Sequence, residues 1–101
     1  MINFTLTVPL PLGWMEVEAE LLPTIAPHLA NVATFALHYS APGDGHWWIV
    51  SNVETGLMVS YASRRAYAVS AARAKLLNKT PEDTVSAYRK ARRKYPLLKA
   101  A

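Results

Sequence analysis

Hydrophobic and polar residues alternate in four stretches of the chain, and a period of two is typical of a half-buried β-strand. The last three stretches are rich in aromatic and β-branched residues and lie close together, so we expect three consecutive antiparallel strands. Gly56, between the last two, supplies the positive φ that a tight hairpin needs. The four stretches are INFTLTV (2–8), ATFALHYS (33–40), HWWIVSNV (46–53) and GLMVSYA (56–62).

Residues 14–30, between the first two predicted strands, carry mixed signals. Their leucines and Val17 suit a helix, but Pro23 and Pro27 would interrupt it. We therefore expect a short, irregular helix near the N-terminus. The run 21–43 has no formal charge and approaches the length of a membrane span, but its prolines and polar residues favour a buried segment of a globular domain.

Two helices are predicted after the last strand. In residues 64–77 the apolar positions Val69, Ala72 and Leu76 recur at three and four residues, which gives one buried face. Ser63 is the expected N-cap of this helix.

The final helix begins with a strong signal, since Thr80 suits the N-cap, Pro81 the first turn and Asp83 a capping box. Pro96 ends it. At 100° per residue it divides into an apolar stripe and a basic side. The stripe is Val85, Tyr88, Ala91 and Tyr95; the opposite side holds Lys90, Arg93 and Lys94, with Arg89 and Arg92 toward one flank.

Charge is segregated along the chain. Residues 1–63 contain five acidic residues and no lysine or arginine, whereas residues 64–101 contain eleven cations and two acids. The two parts therefore carry formal charges of −5 and +9, which add to the net +4. Such a basic region attracts polyanions, although the two halves could also neutralise each other within one fold.

The basic helix side has two interpretations. One is an ordinary solvated face; the other is a phosphate-binding surface, favoured by the density of cations and by the lack of acidic residues one turn away. Arg64 and Arg65 open the preceding helix at the positive end of its dipole, where cations are mildly unfavourable. They either contact a partner or are two exposed residues at the edge of a loop. Trp47 and Trp48 are adjacent in a strand and must face opposite sides, and we expect both to be buried.

Catalytic and metal-binding patterns are not found in the sequence. His28, His38 and His46 match no metal-ligand spacing, and there is no P-loop, nucleophile elbow or paired acid and base. The chain has no cysteine, which suits a reducing compartment, and its N-terminus has no basic region that would indicate a signal peptide. We expect a cytoplasmic protein that is not an enzyme and needs no cofactor or metal.

Residues 17–77 resemble the double-stranded-RNA-binding domain. PGDGH (42–46) is similar to that family's loop between its first two strands, and SRRAYAVSAARAKL (63–76) is similar to its last helix. The resemblance implies that His46 contacts a minor groove and that Arg64 and Arg65 contact phosphates. Ala68 stands where the family has a third lysine. In size and in its lack of catalytic motifs, the chain also resembles small phage and mobile-element proteins, including anti-CRISPR inhibitors.

The sequence thus predicts one α+β domain over residues 1–101, with a three- to four-stranded antiparallel meander packed by two C-terminal helices. We expect a small accessory protein that binds the phosphate backbone of nucleic acid and no membrane. The alternative is a phage or mobile-element inhibitor whose aromatic sheet or acidic half binds a host protein or nucleoprotein complex. The sequence does not decide between DNA and RNA as the ligand, or between a monomer and a homodimer. The expected binding residues are Arg64, Arg65, Arg89, Lys90, Arg92, Arg93, Lys94 and His46.

Overall fold

The protein is an α+β fold in which one antiparallel sheet is followed by two helices. The structure, a computed structural model, describes residues 3–10, 13–39 and 47–94, and their side chains from Glu16 onward except those of Arg92 and Lys94. The strands follow each other in the sheet in chain order: β1 (Asn3–Leu10), β2 (Gly13–Leu21), β3 (Phe35–Tyr39), β4 (Trp48–Asn52) and β5 (Met58–Ala62). The helices are α1 (Arg65–Leu76) and α2 (Pro81–Lys94). The predicted class, the meander and the two C-terminal helices are confirmed.

The predicted short helix near the N-terminus exists only as a 3-10 turn, Pro27–Leu29. Residues 13–21, where the sequence suggested helix, form strand β2. The sheet therefore has five strands, one more than expected. Pro23, the first proline after β2, lies two residues beyond the end of the strand. It therefore ends a strand and does not interrupt a helix. Glu16, Glu18 and Glu20 alternate with smaller apolar residues, which is the strand period.

The main core lies between the sheet and α1. Phe35, Leu37 and Val50 contribute from β3 and β4, and Ala68 and Ala72 come from α1. The alanines let α1 approach the sheet closely enough for the Ser60 hydroxyl to donate to the Ala68 carbonyl at 2.7 Å. Leu76 is 8 % exposed and Val69 packs against the same core, so the predicted buried face of α1 is confirmed.

Two local predictions near β4 and α1 are wrong. Trp47 is 41 % exposed, because it precedes β4 at the end of the sheet, and its ring meets the Tyr61 ring edge to face. Ser63 is not the N-cap of α1: Arg64 occupies that position with extended dihedrals, and its carbonyl accepts from the amides of Tyr67 and Ala68. The hairpin prediction is confirmed, since Gly56 has φ of 73°.

Candidate nucleic-acid interface

Helix α2 presents its cations to solvent. Arg89, Lys90 and Arg93 are exposed, whereas Ala91 is 6 % exposed and Tyr88 is half-buried. We refer to Arg89, Lys90 and Arg93 as the α2 basic face. The amphipathic orientation predicted for this helix is confirmed for these five residues. Val85, also predicted in the apolar stripe, is 37 % exposed, and Tyr95, the last residue of the predicted stripe, lies outside the described residues.

No acidic side chain neutralises the α2 basic face within the described part of the chain. The only ion pair among the described side chains joins Arg65 to Glu20, at 2.5 Å. The acids of α2, Glu82 and Asp83, lie in its first turn, near the positive end of the helix dipole. The three cations are therefore available to an external anion.

A capping box fixes the start of α2. The amide of Thr80 donates to the Asp83 carboxylate at 3.0 Å, and the amide of Asp83 donates to the Thr80 hydroxyl at 3.1 Å. These hydrogen bonds from Thr80, the backbone one first, lower the pKa of Asp83, because they stabilise its charged form. The predicted N-cap is confirmed.

Tyr88 anchors the middle of α2 to the rest of the fold. Its hydroxyl accepts a hydrogen bond from the Asn52 side-chain amide at 2.8 Å. Its one proton has two acceptors at 3.1 Å, the Val32 carbonyl and Glu54 Oε1. Glu54 Oε1 also accepts from the Thr34 amide at 2.7 Å, so α2 is tied to two loops at once.

Burial raises the pKa of Tyr88 to about 12, since the phenolate would lose hydration and lie beside Glu54. The Asn52 hydrogen bond acts in the opposite direction. Tyr88 therefore stays a neutral donor at physiological pH and holds the α2 basic face toward solvent.

A pocket of about 240 Å³ lies between the first half of α2, the end of α1 and the β4–β5 hairpin. Phe35, Leu57 and Leu76 supply apolar walls, while Asn52 and Tyr88 are already hydrogen-bonded to each other. The pocket is at the small end for a ligand site and offers mainly apolar contact. The one cation in its lining, Lys79, lies there together with the Asp83 carboxylate.

The other predicted binding residues lie at the far end of α1. Arg64 stands over the Tyr67 ring with its guanidinium carbon 5.7 Å from the ring centroid, a cation–π contact, and Arg65 is paired with Glu20. Helix α1 ends at Leu76, close to the start of α2. Arg65 is eleven residues before Leu76, so it lies about 16 Å from that end along the helix axis. The described members of the predicted set thus form two groups, and the α2 basic face is the group in which no cation is paired with an acid.

Three exposed cations that the sequence interpretation left out lie between these groups: Arg73, Lys75 and Lys79. Lys75 is engaged, since its ammonium donates to the Val59 carbonyl at 2.9 Å. The sequence feature that could have indicated them is the total of eleven lysines and arginines in residues 64–101. Of the remaining predicted residues, His46 lies outside the described residues, and the side chains of Arg92 and Lys94 are not described.

Among the described residues, a buried serine–histidine pair is the arrangement that most resembles part of a catalytic site. The Ser51 hydroxyl lies 2.8 Å from His38 Nε2, and His38 Nδ1 lies 3.3 Å from the Tyr39 carbonyl, which can only accept. Ser51 therefore donates to the imidazole. Ser51 is 1 % exposed and His38 6 %, so no substrate reaches either side chain, and the pair ties β3 to β4. Burial lowers the pKa of His38 and keeps it neutral.

Within the described residues, no three histidine or acidic side chains come together as a metal site, and none of the helices has the length and apolar character needed to cross a membrane. Comparisons with protein-family models, with curated proteins and with solved structures each gave no match. The resemblances to the double-stranded-RNA-binding domain and to small phage proteins therefore stay predictions. Function has to be argued from the site itself.

Proposed function

We propose that this protein binds the phosphate backbone of duplex nucleic acid through the α2 basic face, without catalysis. The observation that carries the proposal is that Arg89, Lys90 and Arg93 are all exposed and that none has an acidic partner among the described side chains. A merely solvated helix commonly interleaves its cations with acids at i±4. Here the position four residues from Arg89 is Arg93, so like charges are adjacent, an arrangement that an anion would stabilise.

Phosphate is the anion that this geometry suits. Arg89 and Arg93 are one helical turn apart and present planar guanidinium groups that can hold phosphate oxygens in pairs. Each neutralised phosphate releases condensed counterions, which drives binding without any reading of bases. We therefore propose binding that depends strongly on salt and weakly on sequence. We place this activity in the cytoplasm, which suits a chain without cysteine.

The salt dependence of binding tests the proposal. Fluorescence anisotropy with a labelled duplex would be measured from about 50 to 200 mM salt, the range in which phosphate contacts lose most affinity. For the variant Arg89→Gln/Lys90→Gln/Arg93→Gln, we expect the log–log slope to flatten by about 2.7, at roughly 0.9 for each lost contact. Duplexes of unrelated sequence are expected to lose affinity alike.

The matched control is Lys75→Gln, which removes one charge from α1 where the ammonium already contacts the Val59 carbonyl. It is to be compared with the single variant Arg93→Gln. We expect the slope to change by about 0.9 only in the second. Equal effects of the two would mean that net charge, and not the α2 basic face, governs binding.

A second candidate is an inhibitor of phage or mobile-element type that binds a host protein or nucleoprotein complex. One observation favours it. Strand β2 pairs with β3 only through residues 19–21, so residues 13–18 form a two-stranded ribbon with β1 that extends beyond β3. The exposed carboxylates Glu16 and Glu18 lie on this ribbon and suit a basic site on a partner. This candidate predicts that Glu16→Gln/Glu18→Gln abolishes binding to a protein partner and that the wild type does not bind duplexes.

A further inference from the structure

The pocket beneath α2 is a space that the fold leaves between this helix, the end of α1 and the β4–β5 hairpin. The backbone of α2 comes close to the rest of the protein mainly at the 3-10 turn Pro27–Leu29, while the Tyr88 hydroxyl bridges the distance to β4 and the loop after it. About 240 Å³ remain unfilled under the first half of the helix. The walls are Phe35, Leu57, Val59 and Leu76 from the body of the fold and Thr84 and Ala87 from α2.

The polar groups in the wall of this pocket are already hydrogen-bonded to one another. The Asn52 side-chain amide donates to the Tyr88 hydroxyl at 2.8 Å, and the Asn52 side-chain oxygen accepts from the amide and the hydroxyl of Thr55, both at 2.9 Å. Among the described residues, no buried side-chain nitrogen or oxygen lacks a partner. The part of a ligand that enters the pocket is therefore apolar, because a polar group there would lose its hydration without gaining a hydrogen bond.

The volume of the pocket limits the size of that apolar part. An apolar cavity of about 150 Å³ is large enough to bind benzene, so 240 Å³ accommodates one aromatic ring on a short chain, or a branched alkyl group. The pocket is open on one side, since Met58 in its lining is 57 % exposed and Lys79 and Asp83 are exposed as well. A ligand can thus bury its apolar part and keep a polar end in water.

A cation and an anion lie together on this open side. Lys79 is in the turn between the helices, Asp83 is in the first turn of α2, and both line the pocket. Besides the hydrogen bonds from Thr80, which act most strongly, the Lys79 ammonium lowers the pKa of Asp83, so the two charges are near each other. They form no direct ion pair in the described part of the chain, so each can pair with a charge on a ligand.

We propose that this pocket binds a free α-amino acid with an apolar side chain of the size of phenylalanine or leucine. The side chain occupies the pocket, the carboxylate pairs with Lys79 and the ammonium pairs with Asp83. A ligand that carries both charges on one carbon satisfies both residues, whereas an ion of one sign is repelled by one of them. The inference does not depend on the proposed function, since no residue of the α2 basic face lines the pocket.

An NMR amide titration without nucleic acid tests the proposal with a matched series of ligands. L-phenylalanine is compared with 3-phenylpropanoate, which lacks the ammonium, and with 2-phenylethylamine, which lacks the carboxylate. We expect L-phenylalanine to bind with a Kd of about 1 mM or below, as a compact ligand of this size can. Each analogue is expected to bind about two- to fivefold more weakly, the range of one exposed ion pair. In Lys79→Gln, 2-phenylethylamine is expected to bind at least as tightly as L-phenylalanine.

Two further variants locate the site. Ala87→Phe fills the pocket from α2 and is expected to abolish the shifts, whereas Ser86→Phe places the same ring on an adjacent exposed residue outside the lining and is expected to bind as the wild type does. Circular dichroism shows whether each variant is folded, and Ala87→Leu replaces Ala87→Phe should the latter fail to fold.

Three results would overturn the proposal. The first is the absence of shifts with L-phenylalanine up to about 10 mM, ten times the expected Kd. The second is equal affinity of the wild type for all three ligands, which would show that only the apolar part is recognised. The third is an equal loss of binding in Ala87→Phe and Ser86→Phe, which would place the ligand elsewhere.

Discussion

Removal of the Tyr88 hydroxyl tests how α2 is held in place. In Tyr88→Phe the ring stays, but the acceptor for the Asn52 amide at 2.8 Å and the donor to the Val32 carbonyl or Glu54 are lost. The Asn52 amide keeps its hydrogen bond to Glu54 Oε1 at 3.1 Å, so only some of the hydrogen bonds in this network are lost. No charge of the α2 basic face changes.

The expected loss of unfolding free energy is about 1–2 kcal/mol. A neutral hydrogen bond contributes about 1 kcal/mol net, and leaving a partly buried partner unsatisfied adds about 1 kcal/mol more. Tyr88 is only half-buried, so water can replace some of the lost contacts and the value stays in this range. Tyr88→Ala also removes the ring and is expected to cost more, up to about 3 kcal/mol.

Urea denaturation followed by circular dichroism measures the effect, with a lowered midpoint and an unchanged m-value expected for Tyr88→Phe. Tyr67→Phe is the control, because the Tyr67 side chain is 60 % exposed and no hydrogen bond of its hydroxyl is seen. If Tyr88→Phe stays within about 0.5 kcal/mol of wild type, as neutral surface substitutions do, the Tyr88 network does not anchor α2.

Three further predictions concern stability. Because the folded pKa of Tyr88 is raised to about 12, the folded state holds its proton longer than the unfolded chain, so stability is full below pH 10 and falls as pH rises through 12. A urea-midpoint series in which Tyr88→Phe shows the same alkaline loss as wild type would contradict this. The pKa of His38 is lowered from 6.5, so stability falls as pH drops below 6.5, and an NMR titration that finds the imidazole pKa at or above 6.5 would be inconsistent with its burial. Leu76→Asp is expected to cost about 3 kcal/mol or more, because a charge enters the core, whereas the exposed neighbour variant Leu77→Asp is expected to cost less than about 1 kcal/mol; equal thermal shifts would mean that the buried face of α1 is misassigned.

The parts of the fold that follow from local pattern could be predicted from the sequence. Strands β3, β4 and β5 show alternation and are joined at Gly56 by a turn that needs a positive φ. Helix α2 begins at a capping box, which the spacing of Thr80 and Asp83 predicts from the sequence. Strand β2 is not predicted, because Pro23 and Pro27 suggest an interrupted helix, although the alternating glutamates from Glu16 show the strand period.

The parts that depend on distant contacts could not be predicted. Tyr88 was assigned to the apolar stripe, but its partners Val32 and Asn52 lie 56 and 36 residues away, and no spacing rule connects them. The sequence places Arg65 among the predicted phosphate contacts, and its ion pair with Glu20 could not be predicted, because Glu20 lies on a strand that the sequence does not indicate. The exposure of Trp47 likewise depends on where the sheet ends, which is a tertiary property.

The central claim is that the α2 basic face is where nucleic acid binds, and NMR amide mapping with a short duplex tests it most directly. At about 50 mM salt, where phosphate contacts are strong, we expect the largest shifts in residues 88–94 and small ones in β2 and β5. Arg89→Gln/Lys90→Gln/Arg93→Gln is expected to remove the shifts and keep the folded spectrum. Shifts centred on β4 and β5, or none at all with the wild type, would contradict the claim.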